Sequence, residues 1–253
     1  ITLGLTAIDG DNTYWLESRP NEGGRQVLMR RDAQGNIKEL TPTPFNIRTR
    51  VHEYGGGAYA VKNNILYFCN FSDQRIYRQA QDQSPVALTP EGPWRYADMQ
   101  IDTLHHRLVC VREDHAQADK EAVNELVSID LADGAVSVIA SGADFYSSPR
   151  LSPDGKQLAW ISWSHPDMPW DATELWLADF AADGSLNPAR KIVGDNDESI
   201  TQPEWSPDGI LYFVSDKTGW WNIYRYAQGQ IQAVCPMQAE FAYPHWQFCM
   251  TQF

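Results

Sequence analysis

The sequence predicts an all-β fold of repeated four-stranded antiparallel units, and three observations support this prediction. Tight turns recur along the chain, the clearest being Ser152-Pro153-Asp154-Gly155 and Ser206-Pro207-Asp208-Gly209. Apolar runs follow these turns directly, and most strands alternate apolar with polar residues. No segment longer than about ten residues has the 3.6-residue period of a helix. A repeat of roughly 40 to 50 residues with four strands is typical of a β-propeller blade.

The first strand of each unit is expected to end directly before its tight turn. The strand-ending residues are Ile8, Val61, Ile101, Leu151 and Trp205, and Trp246 would be the sixth. The second strands are predicted over residues 13–18, 65–71, 107–112, 157–163 and 210–215. Their spacing is uneven because the loops between strands differ in length.

Two further strands complete each unit. The third strands are predicted over residues 26–31, 75–79, 125–131, 174–180 and 222–226, and the short fourth strands over 37–40, 86–88, 135–139, 190–193 and 231–234. Several of the turns between them contain glycine, such as Gly35, Gly134 and Gly184, which accepts the positive φ that tight hairpins need. Residues 116–127 are the one place where a short helical turn is expected.

The repeats divide the chain into five complete blades and the start of a sixth. The predicted blades are residues 1–48, 49–91, 92–142, 143–194 and 195–238, with a partial blade at 239–253. An interrupted ring has an unpaired edge at each end, so self-association through exposed edge strands is expected. The pattern leaves open whether the shortened ring closes.

Composition and charge exclude several classes of function. The 253-residue chain has 10 Trp, 11 Tyr and 9 Phe, and its formal net charge of −13 argues against nucleic acid or anionic lipid as a partner. No apolar run approaches the length of a membrane-spanning helix. The four cysteines have no metal-binding spacing and are predicted to be reduced, which favours a cytoplasmic protein. The histidines have no partners at ligand spacing, so neither a metal nor another cofactor is expected.

Several stretches together resemble one family of enzymes. The segment Arg48-Thr49-Arg50-Val51-His52-Glu53-Tyr54-Gly55-Gly56-Gly57 is similar to a hallmark stretch in the propeller of prolyl-oligopeptidase-family serine peptidases, in the acylaminoacyl-peptidase and dipeptidyl-aminopeptidase-like branch. The other matching stretches are Phe145-Tyr146-Ser147-Ser148-Pro149-Arg150, His165-Pro166-Asp167-Met168-Pro169-Trp170-Asp171, Glu204-Trp205-Ser206-Pro207-Asp208-Gly209 and Asp216-Lys217-Thr218-Gly219-Trp220-Trp221. The match covers essentially the whole chain.

The resemblance implies an N-terminal propeller, typically seven-bladed, that forms a lid over a C-terminal α/β-hydrolase domain. That domain would carry a Ser-Asp-His triad and cleave short peptides. This sequence has no Gly-x-Ser-x-Gly motif and no alternating strand and helix pattern, so the hydrolase domain is absent from it. The chain begins at Ile1 and is expected to be a trimmed fragment without peptidase activity of its own.

The long loops of a propeller gather on one face, and two of them contain candidate contacts to substrate or to the hydrolase. The first loop contains Arg48, Arg50, His52, Glu53 and Tyr54 beside three glycines that permit close backbone approach. A guanidinium there would suit a carboxylate. The alternative is an Arg50–Glu53 ion pair that joins two blades.

The second candidate loop is stiff and has an apolar tip. It contains His165 directly before the first of two prolines and Trp170 and Asp171 directly after the second, so Trp170 could anchor a bound partner. The alternative is that Trp170 packs beneath its own loop. At the level of the whole chain, the competing function is a free-standing interaction propeller. A metal-dependent enzyme of the lactonase type is disfavoured because the inner strands offer few acids and histidines.

Overall fold

The computed structural model describes residues 1–81 and 83–251, and these form five four-stranded antiparallel sheets. Within each sheet the strands lie in chain order. The strands are β1 (Thr2–Asp9), β2 (Asn12–Arg19), β3 (Arg25–Arg31) and β4 (Ile37–Glu39) in the first sheet; β5 (Tyr59–Lys62), β6 (Ile65–Cys69), β7 (Ile76–Gln79) and β8 (Val86–Ala87) in the second; β9 (Trp94–Asp102), β10 (Arg107–Asp114), β11 (Val123–Asp130) and β12 (Val136–Ala140) in the third; β13 (Phe145–Leu151), β14 (Gln157–Trp163), β15 (Glu174–Asp179) and β16 (Arg190–Val193) in the fourth; and β17 (Ile200–Trp205), β18 (Leu211–Ser215), β19 (Asn222–Ala227) and β20 (Gln230–Ala233) in the fifth.

The predicted fold class is therefore confirmed. In the described part of the chain the helical content is one 3-10 turn, Pro20–Glu22. No helix forms within residues 116–127: the Lys120 nitrogen donates a 3.0 Å hydrogen bond to the Gln117 carbonyl oxygen in a single non-helical turn, and residues 123–127 pair with β10 as the start of β11. The predicted blade limits include the connections between sheets and stay predictions.

The first strands of the sheets lie at the centre of the molecule. Each contacts the first strand of the next sheet: β1 with β5, β5 with β9, β9 with β13, and β13 with β17. Strands β9, β13 and β17 are largely buried, whereas the fourth strands β4 and β20 are exposed. Strand β1 differs from the other inner strands because it is exposed along most of its length.

The hydrophobic core consists of four clusters, each between two successive sheets. Leu28 and Phe68 join the first two sheets, and Val111 packs with Trp160 between the third and fourth. The alternation along each strand produces this arrangement, because successive side chains point to opposite faces of the sheet. Burial of each large side chain contributes roughly 1.5–3 kcal/mol, so the sheets hold one another in place.

Four of the five inner strands contain a β-bulge at the same position of the repeat. Leu5, Asp98, Ser148 and Gln202 have positive φ, each three residues before the strand-ending residue that the repeat identified. The pairing register shifts at each of these points. Bulges redirect side chains. As a result, the inner strands place Asp98, Ser148 and Gln202 as buried polar residues near the centre of the ring.

Residues 246–249 lie against the segment 54–57, which contains the three glycines before β5. Gly56 and Phe248 form an isolated parallel bridge, and a Cβ on Gly56 would lie 2.5 Å from the Phe248 carbonyl oxygen. A Cβ on Gly57 would lie 2.8 Å from the Asp98 nitrogen. The expected close backbone approach is thus present. Trp246 does not end a strand as the repeat predicted; it lies outside the strands and packs on Trp170.

Three chemical features of the described residues bear on function. Cys69 and Cys110 are buried, Cys249 is half-buried, Cys235 is exposed, and all four are free thiols. In residues 1–81 and 83–251, no group of three or more His, Cys, Asp or Glu side chains is arranged to hold a metal ion. No helix of this part of the chain is both long enough and apolar enough to cross a membrane.

Candidate functional site

The two predicted loops and the connection between β10 and β11 meet around one cavity of about 570 Å³. Its walls are formed by residues 52–54, 121–124, 143–148, 163–170 and 245–251. The first, second and fourth of these segments belong to connections that leave the sheets on the same face, after β4, β10 and β14. The predicted face therefore contains a concave site.

The cavity includes five of the eight residues that the sequence singled out. His52, Glu53, Tyr54, His165 and Trp170 line it. Arg48, Arg50 and Asp171 are exposed and do not line it. The Arg48 guanidinium lies 4.8 Å from the Phe71 ring centroid, and the Asp171 Oδ2 accepts a hydrogen bond of 3.1 Å from the Met168 nitrogen.

Glu53 is bound to a residue that the sequence reasoning missed. Its Oε1 accepts a 2.7 Å hydrogen bond from Arg95 Nη1, whereas the Arg50 guanidinium is 3.8 Å away and both partners are exposed. The hydrogen bond from Arg95 lowers the pKa of Glu53. Arg95 also donates to the Arg50 carbonyl oxygen at 3.1 Å and so holds the loop against β9. The Arg50–Glu53 pair is the weaker of the two interactions.

His52 forms an aromatic wall of the cavity. Its ring lies 5.3 Å from Phe145, 5.6 Å from Trp163 and 4.7 Å from Phe248, measured between centroids. The Nε2 is 3.2 Å from Asn124 Oδ1. Burial lowers the pKa of His52, because the imidazolium would lose its hydration, so the ring is neutral at pH 7.

Further aromatic side chains extend this wall to the mouth. Phe145 and Trp163 stack with centroids 5.2 Å apart, and His165 meets the Phe145 ring edge at 5.1 Å. At the mouth, Trp170 and Trp246 are 4.5 Å apart. Tyr54 lies 5.8 Å from Trp246. Trp170 therefore packs against the segment that follows the fifth sheet and not only beneath its own loop.

The floor of the cavity is polar and is built from the inner strands. Arg150 lines the cavity, and its Nη1 is 2.8 Å from Asp98 Oδ1 while its Nε is 2.9 Å from Glu204 Oε1. Asp98 Oδ2 also accepts a 2.9 Å hydrogen bond from the Ser148 nitrogen. Cys249 donates its thiol to Asp98 Oδ1 at 3.2 Å, and burial raises the pKa of this thiol. One ion-paired cluster thus joins the third, fourth and fifth sheets.

A signal for this cluster exists in the sequence. Arg150 and Glu204 each directly precede a strand-ending residue, Leu151 and Trp205, and so occupy equivalent positions in successive repeats. Opposite charges at equivalent positions of neighbouring units predict a contact between units. Asp98 has no such pattern, because it becomes a partner only through the bulge in β9.

Comparisons with known proteins agree with this architecture. No protein-family model matches the chain. A crystal structure of a puromycin hydrolase has 34% sequence identity and a TM-score of 0.91, over 98% of this chain and 41% of the other. A puromycin-hydrolyzing peptidase of Mycobacterium tuberculosis has 36% identity and a TM-score of 0.90, over 97% of this chain and 40% of that one. Dipeptidyl-peptidase 5 of Porphyromonas gingivalis is 27% identical over 125 residues, 47% of this chain and 17% of that protein.

The chain spans about two-fifths of the length of these two solved proteins and a smaller share of the curated relative. The sequence identity exceeds 30% across nearly the whole chain, and the TM-scores are 0.90 and 0.91. The sequence and the five-sheet fold are therefore similar to the same two proteins. The resemblance predicted from the motifs is confirmed: the chain is a β-propeller similar, over almost its entire length, to one part of a puromycin hydrolase and of a puromycin-hydrolyzing peptidase.

Proposed function

We propose that this chain is the N-terminal propeller domain of a cytoplasmic serine peptidase. It docks on a C-terminal α/β-hydrolase domain of the same parent protein and gates the access of short peptides to that domain. The observation that carries the proposal is the 34% identity over 98% of this chain to a puromycin hydrolase of which it spans only 41%. The remaining length is where the catalytic machinery would lie.

The mouth of the cavity supports the docking part of the proposal. Tyr54, Met168 and Trp246 line the cavity and are 58%, 45% and 49% exposed, so an apolar rim faces solvent in this chain. Apolar patches with polar surroundings are typical of interaction sites. A hydrolase domain placed over this face would cover the rim and leave the cavity as part of the route to its active site. The free thiols favour a reducing compartment.

The similar structures indicate the class of substrate and not its identity. Two of them are named for the hydrolysis of puromycin, so the proposed parent activity is the cleavage of an amide bond in a peptide or aminoacyl compound. The nucleophile and its triad would belong to the hydrolase domain, and the 253-residue chain alone is expected to cleave no aminoacyl anilide. Turnover that persists through repurification and disappears on mutation of a serine in this chain would contradict this expectation.

Gating is tested in the parent protein with a pair of tryptophan variants. Trp170 lies at the mouth, and Trp220 is an exposed tryptophan outside the cavity. If the mouth limits substrate size, Trp170→Ala should raise kcat/KM for longer peptides several-fold relative to dipeptides, because the opening widens. Trp220→Ala should leave this ratio unchanged. Equal ratios in both variants would argue against gating.

The arginines of the first loop provide a second test of the same proposal. Arg48 and Arg50 are exposed, so Arg→Ala at either position should leave the melting temperature unchanged. If they contact substrate or the hydrolase, the loss of one charge-assisted contact lowers kcat/KM about ten- to a hundredfold. Unchanged kinetics with a clear fall in stability would assign them a structural role.

The exposed rim also fits a free-standing propeller that binds a protein partner. The parent reading frame separates the two functions. A Gly-x-Ser-x-Gly motif downstream of this segment supports the peptidase, and its absence supports the interaction scaffold.

A further inference from the structure

A second cavity lies between the second and third sheets. It measures about 520 Å³, which is within the usual range for small-molecule sites. Its lining comes from the segments next to β7 and β8, from β9 and β10, and from the turn between β11 and β12. In the described part of the chain, it shares no residue with the lining of the cavity on the long-loop face. A Cβ on Gly134 would overlap the Leu88 carbonyl oxygen, so the two sheets are in close contact beside the second cavity.

Two polar groups in the lining of the second cavity are buried without a partner. Within residues 1–81 and 83–251, neither Trp94 Nε1 nor the Tyr96 hydroxyl has a hydrogen-bond partner. Both residues line the cavity, and Tyr96 is only 1% exposed. Unpartnered buried donors are destabilising and uncommon in folded proteins. Burial raises the pKa of Tyr96, so its hydroxyl keeps its proton and can donate.

Two guanidinium groups lie in the same lining. Arg112 is opposite Tyr96 in the register of β9 and β10, so both side chains are on one face of the sheet. The Arg112 guanidinium carbon lies 5.9 Å from the Trp94 ring centroid. Arg75 lines the cavity from the second sheet, and its Nε donates a 2.8 Å hydrogen bond to the Thr89 carbonyl oxygen. The two sheets thus bring two cations and two neutral donors to one cavity.

The nearby carboxylates compensate these cations only in part. Asp133 is the carboxylate among the described lining residues, and it is exposed. Glu91 lies 3.4 Å from Arg75 but is 87% exposed, and ion pairs of this kind are weak. Glu125 is the stronger competitor, because it accepts hydrogen bonds from the Arg112 guanidinium. Donors therefore outnumber acceptors in the lining, which favours a ligand with a negatively charged acceptor.

We propose that the second cavity binds a small carboxylic acid with an apolar body. The carboxylate lies toward Tyr96 and Arg112, and the apolar body lies against Leu88 and Val136. A carboxylate suits this lining because its two oxygens match the planar fork of a guanidinium and accept strong, charge-assisted hydrogen bonds. The site is formed by this chain alone and does not depend on the proposed peptidase function.

Binding is measured with the 253-residue chain by isothermal titration calorimetry at pH 7. Salt at about 0.15 M screens the net negative charge of the chain. We expect 4-methylpentanoate to bind about tenfold better than 4-methylpentanamide, because the amide lacks the charge. The cation 4-methylpentylamine should bind more weakly than the amide. Acetate lacks the apolar body and should bind at least about tenfold more weakly than 4-methylpentanoate.

A pair of tyrosine variants locates the site. Tyr96→Phe removes only the hydroxyl and should weaken binding of 4-methylpentanoate about five- to tenfold. Tyr224→Phe removes a hydroxyl outside both cavities and should not change it. Because the Tyr96 hydroxyl has no partner in the described part of the free chain, Tyr96→Phe should leave the melting temperature unchanged or raise it. A purely structural role would not separate binding from stability in this way.

A pair of glutamate variants tests the role of the guanidinium. Glu125→Gln removes the carboxylate that competes for Arg112, so 4-methylpentanoate should bind several-fold more tightly. Glu174→Gln removes a carboxylate that is paired with Lys191 at 3.0 Å outside both cavities, and it should leave the affinity unchanged. Circular dichroism checks that each variant is folded.

The proposal is overturned if 4-methylpentanamide binds as well as 4-methylpentanoate, or if 4-methylpentanoate does not bind at millimolar concentration. It is also overturned if Tyr96→Phe binds as Tyr224→Phe does, or if Glu125→Gln binds no more tightly than Glu174→Gln. These outcomes leave the proposed gating role untouched, because that role is measured by kcat/KM in the parent protein.

Discussion

At the scale of single residues, Asp98 and Arg150 form a buried ion pair at the floor of the cavity. Arg150→Met removes the guanidinium and leaves the Asp98 carboxylate, which has no exposed area, with the Ser148 nitrogen and the Cys249 thiol. We expect the free energy of unfolding to fall by about 3–5 kcal/mol, because a buried charge without its partner is costly. Denaturant unfolding measures this loss.

The double variant Asp98→Asn with Arg150→Met is the control for this prediction. It removes both charges, so part of the lost stability should return. A double variant that is no more stable than Arg150→Met would show that the charge of Asp98 is not the cause.

His245 makes stability depend on pH. Burial lowers its pKa to about 4, although Asp98 favours the charged form. In the unfolded chain the pKa is about 6.5. Between these values the unfolded state binds more protons, so stability is complete above pH 6.5 and falls as the pH drops, by up to about 3 kcal/mol at pH 4.

The measurement is the free energy of unfolding between pH 7 and pH 4. His245→Gln should flatten the decline, while His106→Gln, at an exposed turn position, should not. Burial also lowers the pKa of His52, so the slope should diminish without vanishing. Parallel curves for the parent chain and His245→Gln would exclude this histidine as the source.

At the scale of elements, the glycine segment before β5 sets how closely the inner strands approach. Gly57 and Gly10 have similar backbone conformations, with φ of +56° and +58°, but a Cβ on Gly57 would meet the Asp98 backbone at 2.8 Å whereas one on Gly10 meets nothing within 4 Å. Gly10→Ala should cost about 1 kcal/mol from φ alone. Gly57→Ala should cost clearly more, since backbone must shift.

Denaturant midpoints of the two alanine variants check this comparison. Equal losses would mean that the contact between Gly57 and Asp98 imposes no constraint and that φ explains both effects. A larger loss in Gly57→Ala assigns the difference to packing at the centre of the ring.

Most strands were predictable because each follows a local rule. Turns such as Ser152-Pro153-Asp154-Gly155 and the alternation after them need only neighbouring residues to be recognised. The bulges were not predictable, because Asp98, Ser148 and Gln202 share position but not residue type. The prediction for Trp246 was wrong for a similar reason. The repeat spacing alone places it at the end of a strand, whereas its packing on Trp170 depends on the path of the segment after the fifth sheet.

The candidate site was predictable in its loops and not in its floor. His52 and His165 were selected as members of two separate loops, and the ring geometry brings both to the Phe145 side chain. Arg95 was missed because Glu53 lies in another unit and only the arrangement of the sheets joins the two. The repeat positions of Arg150 and Glu204 suggest their contact, but the contact of Arg150 with Asp98 depends on the bulge in β9. Local patterns identify loops; contacts between distant repeats require the fold.

At the scale of the whole molecule, the sheets are not equally coupled. Arg150 pairs with Asp98 of β9 and with Glu204 of β17, and its carbonyl oxygen accepts a 3.0 Å hydrogen bond from Trp205 Nε1. Strand β1, by contrast, is exposed. In hydrogen exchange, amides of β9, β13 and β17 should become labelled last and in one step, and those of β1 much earlier.

Arg150→Met tests this coupling. In the variant, β9, β13 and β17 should exchange at separate rates as denaturant is added. Protection of β1 equal to that of β13 in the parent chain would contradict the prediction.

The bulges in the inner strands have a consequence for how such a scaffold can be diversified. Because the polar floor depends on strand register, the exposed tip of the loop between β14 and β15 can change length without displacing Asp98, Ser148 or Gln202. New loop sequences could therefore be grafted at the mouth of the cavity while the polar floor is left unchanged. Selection for a new ligand would then change residues at the mouth of the cavity, while the ion-paired residues of the floor continue to join the sheets.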